Sequence, residues 1–278
     1  MNLEDLATVY LEGHHGVWGT RFNEWVALSQ FLAHLPWEVQ EIHQLTERHL
    51  ITYRAWLSFQ PVEPYSVYSR YLRIRVFLRW AFREGHLLLP LGQDHDEKRP
   101  PNRWISRYSQ EQVKRLLEQP PKTLQGRADA FAFELLYGTG LRRQEASRLR
   151  LADLTDIGVW VRLGKGGKDR LVPTGPFLRG QIAHYLETIR PQLSPGPEQS
   201  YLLLDLKGER LKMPGLGYRF GEYARQAGLP KRGLHSLRYA YATHLLEGGA
   251  RMEDVQSLLG HASIRTTQIY TQVTPQEL

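Results

Sequence analysis

Four segments in the C-terminal part of the chain combine residue types suited to chemistry on a phosphate group. They read GTGLRRQEASRLRLADL (138–154), LGKGGKDRLVP (163–173), LHSLRYAYATHLLEGG (234–249) and LLGHASIRTTQIYTQV (258–273). Arginine is always charged and can donate two hydrogen bonds to the oxygens of one phosphate. Histidine exchanges protons near neutral pH, and a tyrosine hydroxyl can form a covalent intermediate. Side chains of these types could together bind a phosphate group and transfer it.

The spacing within the segments adds to what each residue indicates alone. Arg142 follows a glycine-containing turn, and Glu145 lies three residues later, where it could orient the guanidinium. His235 and Arg238 are also three residues apart, which places both on one face of a helix. Lys165 lies in a GKGGKD turn that is not a P-loop, because the GxxxxGK[ST] spacing is absent. None of these patterns is specific by itself.

Taken in their order along the chain, the four segments resemble one family, the tyrosine recombinases. These are the phage-integrase-type site-specific recombinases, and the spacing here is that of the Xer-like bacterial members. The resemblance covers residues 106–273 in specific motifs. The preceding residues match only in size, helicity and a basic helix near the end of the N-terminal part. We therefore interpret the chain as a recombinase that cuts and rejoins DNA strands.

The resemblance implies a set of catalytic side chains. The implied set is Arg142, Lys165, His235, Arg238, His261 and Tyr270, with Glu145 in support. In the family the two arginines bind the phosphate, the acidic residue orients the first of them, and the histidines donate to the phosphate or exchange protons. Tyr270 corresponds to the nucleophile, since it lies nine residues after His261 in the family's Thr-x-x-x-Tyr context.

The reaction implied by the resemblance is a transesterification without a cofactor or metal. Tyr270 attacks a DNA phosphodiester and forms a 3′-phosphotyrosine, while Lys165 protonates the departing 5′ oxygen. Lys168 is the alternative acid, although we expect it to contact a phosphate instead. The arginines supply the positive charge that a metal supplies in many nucleases. A 5′ hydroxyl of another strand then reverses the step on a new partner.

Composition narrows the function classes further. The chain has 278 residues, 36 Lys+Arg against 29 Asp+Glu, and a formal net charge of +7. It has no cysteine, which excludes a disulfide framework, a Cys-ligated zinc site and a thiol nucleophile. Because no stretch resembles a membrane span or a secretion signal, we expect a cytoplasmic, nucleoid-associated protein with no membrane partner.

The positive charge is unevenly distributed along the chain. Residues 1–100 carry 10 basic and 12 acidic side chains, whereas residues 101–278 carry 26 and 17. Within the first part, a predicted helix over Tyr68–Phe82 has an apolar face and an opposite basic face. The arginines predicted to bind DNA there are Arg70, Arg75, Arg79 and Arg83. A solvated arginine stripe is the alternative interpretation of that face.

The elements that must position these residues are mostly helices. Apolar periodicity predicts several helices before residue 93. The helices predicted after it start at Ser109 or cover Ala128–Tyr137, Glu145–Leu149, about 177–190, about 215–228, Tyr239–Leu246 and Met252–Leu259, with a final helix from Ser263. The alternation of Val159 and Val161, resumed by Leu171-Val172-Pro173, predicts a β-hairpin. The fold class is therefore mainly α with a small β-hairpin or sheet.

Two domains are expected from length and from the proline-containing segment near residue 100. Residues 1–92 are predicted to form an N-terminal all-α core-binding domain, 93–106 a linker, and 107–278 the tyrosine-recombinase catalytic domain of α+β class. The expected partner is double-stranded DNA with paired recombination sites. A homo-tetramer is expected in the synaptic complex, and a monomer stays open for the free protein.

Two other functions remain open at this point. A type IB topoisomerase uses nearly the same residues to relax DNA with a single subunit. A non-catalytic DNA-binding regulator could retain the fold without the reaction. The intact six-residue set and the Xer-like spacing favour the recombinase over both.

Overall fold

The chain forms two compact units, Met1–Arg103 and Trp104–Leu278. The computed structural model describes residues 2–13, 18–93, 98, 100, 107–162 and 169–260, with the backbone alone for 18–20. Most of the predicted linker lies outside this range. None of the helices in the described part is both long enough and apolar enough to cross a bilayer.

The secondary-structure elements in the described part of the first unit are all helices, as expected. Its α-helices are α1 (Leu3–Gly13), α2 (Trp18–His34), α3 (Glu47–Phe59) and α4 (Pro64–Arg83). Helix α4 packs against α2 and α3, and α1 packs against α2. The predicted apolar face of α4 is buried, with Ile74, Phe77 and Leu78 fully inaccessible to solvent. This face anchors α4 in the core of the unit.

The arginines of α4 differ in their surroundings. Arg79 and Arg83, near the C-terminal end of the helix, are exposed. Arg70 and Arg75 are half-buried, and Arg75 Nη2 donates to the carbonyl oxygen of Gln93 at 3.3 Å. The basic face is therefore most accessible over its last turn.

The second unit combines helices with a small sheet. Its α-helices are α5 (Gln110–Leu117), α6 (Leu124–Thr139), α7 (Arg143–Arg148), α8 (Pro176–His184), α9 (Met213–Gln226), α10 (His235–Glu247) and α11 (Met252–Leu259). Strands β1 (Gly158–Val161) and β2 (Arg170–Pro173) pair antiparallel, with Val161 opposite Arg170. This arrangement confirms the predicted fold class. Helix α10 begins four residues before the predicted start at Tyr239, so His235 is its first residue.

Local sequence signals set several helix ends in this unit. Ser109 Oγ accepts from the backbone N–H of Gln112, and Gln112 Oε1 accepts from that of Ser109, which is the predicted capping box of α5. Helix α6 ends at Gly140 with φ +60°, and α11 ends at Gly260 with φ +62°. A side chain is disfavoured there. A Cβ on Gly140 would clash with the ring of Tyr241.

The packing of α6, α10 and α11 brings the ends of three elements together. Helix α10 packs against α6 and α11, and α11 also contacts β2. A small apolar cluster of Ala242, Val255 and Leu259 joins α10 to α11. The C-terminal ends of α6 and α11 and the start of α7 thereby meet beside β2, where the candidate site lies.

Candidate active site

Arg142 is held in place at the start of α7. Its backbone N–H donates to Glu145 Oε2 at 2.9 Å, and its Nη1 donates to Glu145 Oε1 at 2.8 Å. Glu145 therefore satisfies one of the unpaired N–H groups at the helix start and also orients the guanidinium. A quarter of the Arg142 side-chain surface remains exposed to solvent. The supporting role of Glu145 stays a prediction, and these contacts are the ones it needs.

The carboxylate of Glu145 links the start of α7 to strand β2. Besides Arg142, it accepts from Arg170 of β2, at 3.2 Å from Nη1 to Oε1 and 2.7 Å from Nη2 to Oε2. Burial alone would raise the pKa of Glu145. The hydrogen bonds and charges of Arg170 and Arg142 outweigh that effect and lower the pKa to about 2. The carboxylate is therefore ionised near neutral pH.

Arg238 lies on α10 and is almost completely buried, with 1% of its side chain exposed. Its Nη1 donates to the carbonyl oxygen of Gly140 and its Nη2 to that of Leu259, both at 2.7 Å. Glu145 Oε2 is 4.0 Å from Nη1. A buried guanidinium without partners would cost several kcal/mol. These carbonyls and the nearby carboxylate compensate for its loss of water.

Arg142 and Arg238, the two arginines predicted to bind the phosphate, converge on one oxygen atom. The carbonyl oxygen of Leu259 accepts from Arg238 Nη2 at 2.7 Å and from Arg142 Nη1 at 3.4 Å. Arg142 Nη2 also donates to the carbonyl oxygen of Gly260 at 3.3 Å. Two guanidiniums that reach the same acceptor could also both donate to one phosphate oxygen.

His235 lies at the N-terminal end of α10, one turn before Arg238. Loss of part of its water shell lowers its pKa, and so do the positive charges of Arg238, Arg142 and Arg143, to about 4. The positive end of the helix dipole acts in the same direction. The imidazole is therefore neutral near pH 7, and one of its ring nitrogens can accept a hydrogen bond. Its ring also packs edge-on against Tyr239, with centroids 5.0 Å apart.

The structure brings together four of the residues singled out from the sequence, namely Arg142, Glu145, His235 and Arg238. The other predicted members of the site are Lys165, Lys168, His261 and Tyr270, and all four lie outside the described residues. In the described part of the chain, no cluster of three or more His, Asp or Glu side chains could hold a metal ion.

Arg170 is not among the site residues predicted from the sequence, yet it contacts the site directly. A signal was present in the strand pattern, because residues two apart in a strand face the same side. Arg170 therefore shares the face of buried Val172 rather than the solvent side. A charged residue on the buried face of a strand needs a partner. Sequence alone did not identify Glu145 as that partner.

Comparison with known proteins places these residues in a family context. The model of the family described as "Phage integrase family" matches residues 106–277. That range contains all four motif segments of the sequence analysis. It also contains every residue of the arginine and glutamate cluster described above.

Individual relatives match over most of the chain. Tyrosine recombinase XerC 2 of Ralstonia nicotianae is 36% identical over 237 residues, covering 84% of this chain and 68% of that protein. Tyrosine recombinase XerC of Staphylococcus aureus is 33% identical over 258 residues, covering 90% and 85%. Among solved structures, a lambda integrase (75-356) dimer bound to a COC′ core site has a TM-score of 0.82 at 18% identity, covering 100% of this chain and 98% of that one. This last likeness is one of fold.

Proposed function

This chain belongs to the phage integrase family of tyrosine recombinases, and from that premise we propose how its residues carry out the reaction. The protein is a DNA strand transferase that performs site-specific recombination. Residues 107–278 form the catalytic part, and residues 1–92 bind the DNA core site. Neither strand relaxation by a lone subunit nor silent DNA binding is favoured by its relatives.

The convergence of Arg142 and Arg238 on one carbonyl oxygen is the observation that carries the proposed chemistry. When DNA binds, an oxygen of the scissile phosphate replaces the carbonyl oxygen of Leu259 as the acceptor of the hydrogen bonds from Arg142 and Arg238. Both cations then stabilise the extra negative charge of the five-coordinate transition state. Because Glu145 holds Arg142 from two sides, little reorganisation is needed at that moment.

Tyr270 is the proposed nucleophile. Its hydroxyl oxygen attacks the phosphorus atom, the bond from phosphorus to the 5′ oxygen breaks, and a 3′-phosphotyrosyl linkage forms. His235, which its lowered pKa keeps neutral and unprotonated at pH 7, is the proposed acceptor of the tyrosine proton. Lys165 gives a proton to the leaving 5′ oxygen, while His261 and Lys168 donate to phosphate oxygens. The number of phosphoester bonds is conserved, so the step reverses on a new strand without ATP.

The partner of the protein is DNA, and the lambda integrase that shares this fold is seen as a dimer bound to a core site. We propose that a homo-tetramer assembles on two recombination sites and that the arginine face of α4, Arg70, Arg75, Arg79 and Arg83, contacts phosphates. A protein with this role is expected in the cytoplasm, associated with the nucleoid.

Covalent trapping tests the proposed nucleophile. Duplexes selected for binding from a randomised pool are rebuilt with a nick or a 5′-bridging phosphorothiolate, so that cleavage cannot reverse. Wild-type protein is expected to give a covalent band on a denaturing gel, and Tyr270→Phe is expected to give none. Tyr218→Phe is the matched control, because Tyr218 of α9 has 73% of its surface exposed.

Two outcomes would contradict the proposal. A covalent band that persists in Tyr270→Phe would assign the nucleophile elsewhere. Tight binding by the wild type without any covalent product would favour a DNA-binding regulator.

A further inference from the structure

We propose that Arg170 is a positioning residue of the active site. It acts through Glu145 and through the end of α11 to set the geometry in which Arg142 and Arg238 receive a phosphate. The inference deepens the proposed function and rests on it. Arg170 itself is not proposed to touch the reacting atoms.

The contacts of Arg170 use both sides of its guanidinium. Two parallel hydrogen bonds join it to the Glu145 carboxylate, and its Nε donates to the carbonyl oxygen of Leu258 at 2.8 Å. Only 11% of its side-chain surface is exposed. A fork-to-fork pair of this kind fixes the rotation of the carboxylate as well as its distance. Arg170 therefore determines how Glu145 is presented to Arg142.

Glu145 needs that support because both of its oxygens serve Arg142. One oxygen accepts from the Arg142 backbone N–H and the other from its Nη1. If the carboxylate rotated, both contacts would be distorted together. Arg238 Nη1 is 4.0 Å from Glu145 Oε2, so a freed carboxylate could also turn toward it. The bidentate contact with Arg170 holds the carboxylate against this movement.

Arg170 also belongs to a set of three guanidiniums at the C-terminal end of α11. Three successive carbonyl oxygens there accept from arginines: that of Leu258 from Arg170, that of Leu259 from Arg238 and Arg142, and that of Gly260 from Arg142. The negative end of the helix dipole favours cations at this position. Gly260 lies directly against Arg170, since a Cβ there would be 3.0 Å from Nη1. Arg170 thus joins β2 to the end of α11, where Arg142 and Arg238 also donate their hydrogen bonds.

A second ion pair of the same kind provides a matched control. Arg219 of α9 binds the buried carboxylate of Asp129 through Nε at 2.6 Å and Nη2 at 2.8 Å. Its removal leaves a buried carboxylate, as the removal of Arg170 does, and both changes are expected to lower the melting temperature. Arg219 binds a different carboxylate from the one that holds Arg142. It therefore separates loss of stability from loss of positioning.

The experiment compares Arg170→Ala, Arg170→Lys and Arg219→Ala with the wild type on the trapping duplex. Three quantities are measured at a temperature where each variant is folded: the single-turnover rate of covalent complex formation at saturating DNA, the Kd for DNA, and the melting temperature. We expect Arg170→Ala to lower the rate about 100-fold, as a small misplacement of a catalytic group does, with the Kd nearly unchanged. Arg170→Lys retains a charge and recovers part of the rate.

A pH profile gives a readout that a merely structural role would not move. Arg170 contributes to the lowered pKa of Glu145, and its loss leaves burial, which raises that pKa, less opposed. In wild type His235 protonates first, near its pKa of about 4, and in Arg170→Ala the higher pKa of Glu145 is expected to move the acid limb to a pH above that value. Arg219→Ala is expected to keep both the wild-type rate and the wild-type profile.

The inference is overturned if Arg170→Ala forms the covalent complex at the wild-type rate. It is also overturned if Arg219→Ala lowers the rate as much as Arg170→Ala does. Absence of covalent product in the wild type itself would instead overturn the proposed function. The two failures are therefore distinguishable in one set of reactions.

Discussion

At the scale of single residues, the site depends on one carboxylate that serves several cations. Glu145 accepts from Arg142 and Arg170 and lies 4.0 Å from Arg238. Three guanidiniums around one carboxylate leave a net positive charge, which suits an anionic substrate. The negative charge of the same carboxylate also offsets the repulsion between the three guanidiniums. Its ionised form therefore matters for stability as well as for catalysis.

Glu145 is expected to make the free energy of unfolding depend on pH. Its pKa falls from 4.5 to about 2 on folding, so the unfolded chain binds the proton more readily. The stabilisation is fully present above pH 4.5, amounts to about 3 kcal/mol at most, and is lost as the pH falls toward 2. Denaturant unfolding at several pH values should show wild type losing its advantage over Glu145→Gln across this window.

The control for this measurement is Glu222→Gln. Glu222 forms an exposed ion pair with Arg225, and such surface pairs contribute little to stability. The same loss of stability in acid for wild type and Glu145→Gln would contradict the assignment of that loss to Glu145.

The sequence predicted the residues of the site whose partners are close in the chain. Arg142 and Glu145, like His235 and Arg238, are three residues apart, and the family motifs contain both pairs. The contact of Arg170 with Glu145 spans 25 residues and depends on how β2 packs beside α7. The acceptors of Arg238 are backbone carbonyls, which no residue type identifies. Sequence patterns alone could not predict either contact.

At the scale of elements, α4 is the part of the first unit with the clearest functional pattern. Its buried face was predictable because apolar side chains recur with the helical period, and the structure buries them. The exposure of its arginines was less predictable, because it depends on neighbouring loops. Arg75 lies against Gly92, for example, whereas Arg79 and Arg83 are exposed.

Arg79 and Arg83 are therefore the arginines of α4 whose phosphate contacts are best tested. Each phosphate that a protein neutralises releases a counterion and steepens the dependence of affinity on salt by about 0.9. The double variant Arg79→Ala/Arg83→Ala is expected to weaken DNA binding and to reduce the slope of log Kd against log salt by about 2. Fluorescence anisotropy over a series of salt concentrations measures both quantities.

Arg48→Ala is the matched control, since Arg48 is an exposed arginine of α3 in the same unit. A double variant whose slope equals that of the wild type would favour the solvated stripe over a phosphate-binding face.

At the scale of the whole molecule, each unit has its own hydrophobic core. One cluster contains Phe77 of α4 and the other contains Phe133 of α6, and both side chains are fully buried. The chain divides into two units between Arg103 and Trp104, close to Pro100-Pro101. The predicted domain bounds, 1–92 and 107–278, stay a prediction.

Separate cores are expected to unfold separately. Phe77→Leu and Phe133→Leu each remove buried contacts and should cost about 1–3 kcal/mol in the unit that contains them. In differential scanning calorimetry of the full chain, each variant is expected to shift one of two transitions by several degrees. A single transition that moves equally in both variants would show instead that the units unfold together.

The carbonyl oxygens at the end of α11 determine which positions there can be substituted during evolution. Every amino acid carries the acceptor that Arg142, Arg170 and Arg238 use at positions 258–260. Exchanging the side chain of Leu258 therefore leaves the hydrogen bond to Arg170 available, as long as the helix still ends at the same place. Gly260 is constrained instead by its positive φ and by the guanidinium beside it. Neutral variation among descendants should accumulate at 258 well before it is tolerated at 260.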